Sequence, residues 1–258
     1  MTNDVSDWWR TAIIDMEPGR IALRGHEVQD LIGQAGFAEM IWLMLRGERP
    51  DPRAAKLLEA TLVAAVDHGP QAPSIATARM AVTCGLPLNN AMASAVNMLG
   101  DVHGGAGEQA VELYERIDAA GGPDAVSDEI TRWRTEHGRY IPGFGHRFHP
   151  VDPRAPALMS LVERAERDGI VTGQFRRIAL TIERHLAETA SKPVPMNIDG
   201  ATAVIHAELG FPAPLARGLF VLSRSVGILA HAWEQSQQGG RNKGPTPPRY
   251  RWTYYSDG

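Results

Sequence analysis

Apolar residues recur along most of the chain at the three- to four-residue spacing of an amphipathic helix. Leu58, Leu62 and Val66 fall on one helix face, for example, and Asp51 and Pro52 precede them as an N-cap and a first-turn proline. The same spacing predicts further helices over residues 36–46, 74–83, 88–99, 107–120, 124–136, 153–167, 173–190, 199–209 and 213–236. Strand-like alternation is scarce, so the pattern predicts an all-α fold.

Glycine and proline mark most of the breaks between these predicted helices. They occur at Gly47, 85–87, 121–123, Gly169 and 210–212, where they favour a helix end and a turn. No internal repeat or low-complexity tract interrupts the pattern, and we expect residues 1–258 to form a single unit.

Two of the predicted helices are rich in small residues. They are Ala91, Ala93, Ser94, Ala95 and Gly100 around the first, and Ala216, Gly218, Ser223, Ser225 and Gly227 in the second. Small side chains permit close helix–helix contact, either inside one subunit or across a dimer interface. Composition alone leaves both interpretations open.

The bulk composition is that of an ordinary globular protein, with 43% apolar and 22% charged residues among 258. A formal charge of −4 gives no general attraction to nucleic acid or to an anionic membrane. A phosphorylated ligand therefore needs local basic residues. Cys84 is the only cysteine, which excludes a disulfide framework, and its apolar neighbours predict a buried structural thiol.

The N-terminal residues do not have the pattern of a secretory signal. Residues 1–10 are acidic and lack an apolar core, and no run of eighteen apolar residues occurs. We therefore predict no secretory signal, no membrane span and a cytoplasmic location.

The segment with the most distinctive chemistry is PGFGHR at residues 142–147, followed by DPR at 152–154. Two glycines, an imidazole and guanidinium groups suit a loop that surrounds a small anion better than they suit a core. Three other segments also set a histidine or an acid among small or polar residues. They are VDHG at 66–69, DVHGGAGE at 101–108 and MNIDGA at 196–201.

In their order along the chain, these segments resemble the active-site motifs of the citrate synthase family, and the resemblance extends to residues 22–26, 37–47 and 222–231. It implies a helical fold with a large core and a smaller lobe over about residues 120–195. It also implies a homodimer or a higher homo-oligomer.

The family's chemistry forms or cleaves a carbon–carbon bond beside a coenzyme A thioester, which requires proton transfer at carbon, enolate stabilisation and polarisation of a ketone oxygen. By resemblance, Asp199 exchanges the proton on the acetyl methyl carbon. His103 donates a hydrogen bond to the enolate oxygen. His146 handles the proton on the hydroxyl or carbonyl oxygen of the four-carbon fragment.

The four-carbon partner is a dicarboxylate, and the resemblance assigns its carboxylates to Arg154 and Arg224, since guanidinium groups bind carboxylates bidentately. Arg224 lies in an otherwise apolar run, where a buried charge needs a partner or a ligand. His68 matches a family position that hydrogen-bonds the same ligand.

Family members also carry a C-terminal arm that delivers an arginine to the partner's site. Here the tail from residue 239 is rich in glycine, proline and arginine, so it is predicted to be extended, and its aromatic residues indicate that it lies against something. Arg241 and Arg249 are the candidates for the delivered arginine, and the sequence does not choose between them.

Coenzyme A is expected as part of the substrate or product, with no permanently bound cofactor. Lys192 lies seven residues before Asp199, as does a family lysine that meets the phosphates, and Arg147 is a second candidate. Three backbone amides are candidates for the adenine end or the thioester arm: Gly143, Phe144 and Gly145.

The chain departs from the family pattern at two places. Ala65 stands three residues before His68, where many synthases have another histidine, and the spacing from His146 to Arg154 is one residue shorter. The shortened loop also holds His149, but two histidines three apart in a proline-rich loop are a weak metal signal, and we predict no metal site.

The short length, the loop after His146 and the basic aromatic tail resemble citryl-CoA lyase and the citrate-synthase-homology module of ATP-citrate lyase. The resemblance predicts retro-Claisen cleavage of citryl-CoA to acetyl-CoA and oxaloacetate. One alternative is a short citrate or 2-methylcitrate synthase. A second is a non-catalytic subunit that binds coenzyme A, against which the retained Asp199, His103 and His146 argue.

Overall fold

The computed structural model describes residues 5–146, 149–241 and 249–256, most of which are α-helical. The helices are α1 (Val5–Trp8), α2 (Val28–Leu31), α3 (Phe37–Arg46), α4 (Pro52–Ala64), α5 (Pro73–Thr83), α6 (Leu88–Val96), α7 (Ala106–Ala119), α8 (Val126–His137), α9 (Arg154–Arg167), α10 (Gln174–Thr189), α11 (Ile198–Glu208) and α12 (Ala213–Gln238), with a 3-10 turn at Gly122–Ala125. The all-α prediction is confirmed, and the predicted helix ends agree with these bounds to within a few residues.

A small antiparallel sheet, which the helical spacing did not predict, precedes the larger helices. Its strands are β1 (Ile14–Glu17), β2 (Arg20–Leu23) and β3 (His26–Glu27), in that order across the sheet. The Pro18-Gly19 dipeptide is the local signal for the first hairpin, because Gly19 takes a left-handed φ of +84° in the turn.

The main hydrophobic core surrounds α11, which is buried on all sides. Every residue from Gly200 to Ala207 is buried, as expected for a helix whose side chains are mostly small and apolar. Helices α4, α7, α9 and α10 pack around it. The start of α11 is consequently held from several directions, which matters because Asp199 lies there.

Helix α12 packs against α5 and α6 through small and branched residues, among them Ile75, Ala91, Ala95 and Ile228. Its other face leaves Leu222, Val226, Leu229 and Trp233 exposed. Among the described residues, α12 alone is long and apolar enough to cross a bilayer by length and composition. The residues that α12 buries against α5 and α6 account for part of that apolar character.

The prediction of a buried cysteine is wrong. Cys84 is exposed at the C-terminal cap of α5. Gly85 follows with a left-handed φ of +88° and turns the chain toward α6, so the thiol lies at the end of the helix and outside its buried face.

Candidate active site

The predicted functional residues gather at the start of α11 and the loops around it. Six belong to this group: His68, His103, His146, Arg154, Asp199 and Arg224. The rings of His68 and His146 lie 5.7 Å apart, centroid to centroid. The charges of Arg154 and Arg224 both act on His68 and on Asp199, which links α9 and α12 to the same site.

Asp199 lies in the first turn of α11 but does not cap it. The cap is Asn197, whose side-chain oxygen accepts hydrogen bonds from the N–H groups of Asp199 at 2.9 Å and Gly200 at 3.2 Å. Burial raises the pKa of Asp199, and the positive charges of Arg154 and Arg224 oppose that rise. The carboxyl group is therefore available for proton transfer, because capping is done by its neighbour.

Two of the glycine-containing motifs touch directly. Asn197 donates from its backbone to the carbonyl of Gly143 at 2.9 Å and from its side chain to the carbonyl of Gly145 at 2.6 Å. A Cβ atom on Gly143 would lie 2.6 Å from the Cα of Gly200, and the φ of Gly143 is +84°. Both facts require glycine here, so that the His146 loop can reach the start of α11.

Two of the three amides that were predicted to hold coenzyme A already donate to acceptors within the protein. The N–H of Gly145 donates to the carbonyl of Pro195 at 2.7 Å, and that of Phe144 to the carbonyl of Ile141 at 3.4 Å. Those two amides therefore build the loop and are not available as ligand donors, which leaves the N–H of Gly143 as the candidate.

His103 is oriented by the beginning of α5. Its Nε2 accepts a hydrogen bond from the backbone N–H of Ser74 at 3.2 Å and lies 3.0 Å from the Ser74 hydroxyl oxygen. Burial, together with the positive charge of Arg224, lowers the pKa of His103. The neutral ring therefore carries its proton on Nδ1, where it can be donated to an oxygen atom.

The turn that carries His103 is also braced. The N–H of Gly100 donates to the carbonyl of His103 at 2.9 Å. The Asp101 side chain accepts from Arg217 of α12 at 2.5 Å, and the Asp101 carbonyl accepts from the side chain of Gln109 at 3.2 Å. A Cβ atom on Gly105 would lie 2.6 Å from the Asp101 carbonyl oxygen, so the turn and the start of α7 pack too closely for another residue.

His146 has the opposite tautomer. Its Nδ1 accepts the backbone N–H of His149 at 3.0 Å, so the neutral ring carries its proton on Nε2. Burial lowers the pKa of His146, and the nearby charge of Asp152 opposes that shift. Burial also lowers the pKa of His68, with Arg154 and Arg224 acting in the same direction.

Asp152 is the first residue of the DPR segment at 152–154, but the sequence predicted no role for it. Its carboxylate is 1% exposed and accepts from Nε of Arg154 at 2.9 Å and from Nη2 at 2.8 Å. Burial opposes its ionisation, but the hydrogen bonds and charge of Arg154 outweigh burial and hold its pKa at about 2. The acid–proline pair directly before α9 was the available signal, since aspartate and proline are both frequent at helix starts.

Arg224 is the better candidate for a bidentate contact with a carboxylate. It is 5% exposed, donates from Nε to the carbonyl of Ala65 at 3.1 Å and lies over the Phe220 ring at 4.9 Å. It forms no ion pair with a carboxylate among the residues that the structure describes. A buried guanidinium without a carboxylate partner favours an anionic ligand.

A cleft of about 680 Å³ adjoins this group. It is lined by sequence neighbours of all three predicted catalytic residues, by acidic residues of α7 and by aromatic rings: Asp101, Val102, Gly143, Phe144, Asn197, Glu108, Glu112, Trp133 and Tyr140. Its volume is that of a small-molecule binding site. His103, His146 and Asp199 do not line the cleft themselves, but residues within two positions of each of them along the chain do.

Three predicted residues are not brought into this group, and the structure does not describe a fourth. Lys192 is exposed in the loop between α10 and α11, and Arg147 lies outside the described residues. Arg241 and Arg249 are exposed and form no ion pair with the described part of their own chain. Their predicted roles stay predictions.

Comparison with known proteins identifies relatives. Residues 36–244 match the family model described as citrate synthase, C-terminal domain. A solved citryl-CoA lyase from Hydrogenobacter thermophilus superimposes with a TM-score of 0.85 at 30% identity, over 96% of this chain and 95% of that one. An ATP citrate lyase from Methanothrix soehngenii, solved with citrate and coenzyme A, gives a TM-score of 0.83 at 21% identity, over 100% of this chain and 45% of that one.

Curated sequences give a consistent result. A citrate synthase from Synechocystis is 32% identical over 77% of this chain and 49% of its own length. The chain spans about half the length of the curated relatives that it matches.

Proposed function

The chain belongs to the citrate synthase family, and on that premise we propose that it is a citryl-CoA lyase, which cleaves citryl-CoA to acetyl-CoA and oxaloacetate. The observation that carries the proposal is the likeness to the Hydrogenobacter citryl-CoA lyase over nearly all of both chains. The grouping of an acid, two oppositely oriented imidazoles and two guanidinium groups supports it, since these are the groups that the reaction needs.

The dicarboxylate part of the ligand binds between the two arginines in this proposal. Arg224 offers both terminal nitrogens of its guanidinium to one carboxylate. Arg154 has Nε and Nη2 engaged by Asp152, so its remaining contact is made end-on from Nη1, which lies 3.5 Å from the Ala64 carbonyl. His68 lies beside them and donates to the same ligand.

Cleavage then proceeds by one proton transfer at each end of the breaking bond. His146 accepts the hydroxyl proton as the carbon–oxygen double bond of oxaloacetate forms and the carbon–carbon bond breaks. The electron pair of that bond passes into the thioester as an enolate, whose oxygen accepts a hydrogen bond from Nδ1 of His103. Asp199 in its protonated form donates to the methylene carbon and gives acetyl-CoA.

The raised pKa of Asp199 suits this direction, because the group has to hold a proton before cleavage. For Nε2 of His146 to accept a proton, the ring has to hold its own proton on Nδ1, with loss of the hydrogen bond from His149. The tautomer that the His149 hydrogen bond implies can donate from Nε2 to a ketone oxygen, which belongs to the product of cleavage and to the substrate of condensation.

The coenzyme A arm occupies the 680 Å³ cleft in this proposal. The thioester lies against His103, the N–H of Gly143 is the candidate backbone donor, and Lys192 and Arg147 are the candidates for the phosphates. The Glu108 and Glu112 carboxylates favour an uncharged part of the ligand in the cleft and disfavour its phosphates.

A citrate or 2-methylcitrate synthase is the second candidate. Its support is that the curated relatives at about 30% identity are citrate synthases. The same residues run the carbon–carbon step in either direction, and a synthase additionally admits water to hydrolyse the thioester.

Product analysis of the purified protein tests the proposal. With citryl-CoA, we expect release of acetyl-CoA and oxaloacetate. Added malate dehydrogenase then reduces the oxaloacetate, and the oxidation of NADH measures it. With acetyl-CoA and oxaloacetate, we expect little free thiol. Rapid stoichiometric thiol release with free citrate would instead identify a synthase, and thermal stabilisation by coenzyme A without turnover of any ester would identify a binding subunit.

The proposal includes a homodimer. Exposed Leu222, Val226, Leu229 and Trp233 follow one another at helical spacing on α12, and the described tail residues Tyr250 and Trp252 are also exposed. A second copy of the chain would cover both, and its tail would bring Arg241 or Arg249 to the neighbouring site.

A further inference from the structure

We infer that Asp152 is a positioning residue, whose buried carboxylate holds the start of α11 and the guanidinium of Arg154 in one fixed relationship. The inference deepens the proposed function and rests on it, since it concerns the placement of Asp199 as acid–base group and of Arg154 as ligand donor.

The contacts of Asp152 come from two different helices. Oδ1 accepts the backbone N–H of Arg154 at 3.1 Å and its Nε at 2.9 Å, and Oδ2 accepts Nη2 of Arg154 at 2.8 Å. Oδ2 also accepts the backbone N–H of Ile198, the first residue of α11, at 3.0 Å. One carboxylate thus joins the first residue of α9 to the first residue of α11.

The start of α11 depends on this link. The first four N–H groups of a helix have no acceptor within it. Asn197 supplies acceptors for Asp199, Gly200 and Ala201, but Asn197 precedes the helix directly and moves with it. The bond from Ile198 to Asp152 ties the same turn to a different helix, so it restricts how Asp199 can shift relative to Arg154.

The charge of Asp152 matters as well as its geometry. Asp199 faces the positive charges of Arg154 on α9 and Arg224 on α12, which lower its pKa, and the negative charge of Asp152, which raises it. Asp152 also neutralises most of the Arg154 guanidinium. It therefore helps Asp199 to keep the proton that cleavage consumes.

The matched pair of variants is Asp152→Asn and Glu208→Gln. Glu208 is also a carboxylate that caps a helix from a distance, since it accepts the N–H groups of Phe175 at 2.8 Å and Arg176 at 3.2 Å at the start of α10. Within the described part of the chain, the hydrogen bonds to its carboxylate come from residues 172–176 and from none of the proposed catalytic residues. In both variants, an amide N–H replaces one acceptor, so both lose hydrogen bonds at a helix start.

For Asp152→Asn, we expect kcat for citryl-CoA cleavage to fall by about 10- to 100-fold, the range for a small displacement of a catalytic group. Inhibition by oxaloacetate should weaken by a smaller factor than kcat falls, because Arg154 keeps its charge and Arg224, which has no contact with Asp152, still binds the ligand. The alkaline limb of the kcat profile should move to lower pH, and infrared spectra of isotopically labelled protein should show Asp199 losing its proton at lower pH. Glu208→Gln should lower the melting temperature and leave kcat, oxaloacetate inhibition, the pH profile and the infrared titration of Asp199 unchanged.

A parallel loss of kcat and oxaloacetate binding with an unchanged pH profile would mean a merely structural role and overturn the inference.

A background of Arg154→Gln keeps the test available if Asp152→Asn does not fold, since removing both partners of a buried pair costs less stability than removing one. Adding Asp152→Asn to Arg154→Gln should lower kcat further, and no further loss would overturn the link to α11. Absence of turnover in the wild-type protein would count against the proposed function alone, and the infrared titration would still test Asp152.

Discussion

The backbone N–H of Ser74 donates a hydrogen bond to Nε2 of His103 across 3.2 Å. This places the ring proton of a neutral His103 on Nδ1 and prevents Nε2 from acting as a donor. The beginning of α5 thereby decides that Nδ1 is the atom of His103 that can donate a hydrogen bond to a ligand.

His103 should remain neutral throughout the working range. Its pKa is lowered by burial and by Arg224, so protonation should occur only below the ordinary imidazole value of about 6.5. Nitrogen NMR of labelled protein should show a protonated Nδ1 and an unprotonated Nε2 at pH 7. His103→Ala should reduce turnover by about 10²- to 10³-fold. Ser74→Ala keeps the N–H and should cost far less, and an equal loss would place the orienting group on the Ser74 hydroxyl.

Asp199→Asn should leave folding and coenzyme A binding largely intact, because Asn197 and not Asp199 caps α11. Turnover of citryl-CoA should fall by about 10²- to 10⁴-fold, the range for a positioned acid–base group. Steady-state kinetics and calorimetric titration with coenzyme A measure the two properties separately. Turnover at the wild-type rate would remove Asp199 from the reaction.

Arg224→Lys should weaken oxaloacetate inhibition by about 1–3 kcal/mol, because a point charge replaces a planar fork that has no carboxylate partner among the described residues. Arg176→Lys is the control, since this arginine of α10 is already paired with Glu166. The inhibition constant of oxaloacetate, measured for both variants, checks this prediction. Unchanged inhibition with lost stability in Arg224→Lys would make this residue a structural one.

His206 should make the fold sensitive to acid. It is 4% exposed, its Nε2 lies 3.1 Å from the Thr61 hydroxyl, and burial lowers its pKa to about 4. Since the unfolded chain binds this proton near pH 6.5, the free energy of unfolding should fall as pH drops from 6.5 toward 4, by about 1.4 kcal/mol per unit of pKa difference. Denaturant unfolding at several pH values should show a shallower dependence in His206→Gln. An identical dependence would assign the acid sensitivity to other groups.

Truncation after Gly240 should abolish activity and leave a helical dimer, because the exposed tail contributes to the neighbouring site in the proposed assembly. Activity should partly return when the truncated chain is mixed with Asp199→Asn under conditions of subunit exchange. Each hybrid then holds one site with an intact Asp199 and a tail from the other chain. Hybrids that form without any recovery would show that the tail acts within its own subunit or has no role.

Local patterns in the sequence predicted most of the secondary structure. Apolar spacing identified α3 to α12, and glycine or proline marked most of their ends, because helix formation and termination depend on residues close along the chain. The small sheet over residues 14–27 was missed because its strands are short and largely exposed, so no face shows a clear alternation. The burial of Cys84 was predicted wrongly for a related reason. Apolar neighbours along the chain do not reveal whether a residue at a helix end faces the core or the solvent.

By itself, the sequence determined which residue types are present for the chemistry, in an order typical of one family: Asp199, His103, His146 and the arginines. Only the tertiary structure decided what each can do. The tautomers of the two histidines depend on N–H groups of Ser74 and His149, and the engagement of Arg154 by Asp152 and the isolation of Arg224 from carboxylates depend on which helices meet. Hydrogen bonds and burial act over a few ångströms in space, so they are set by packing between segments far apart along the chain.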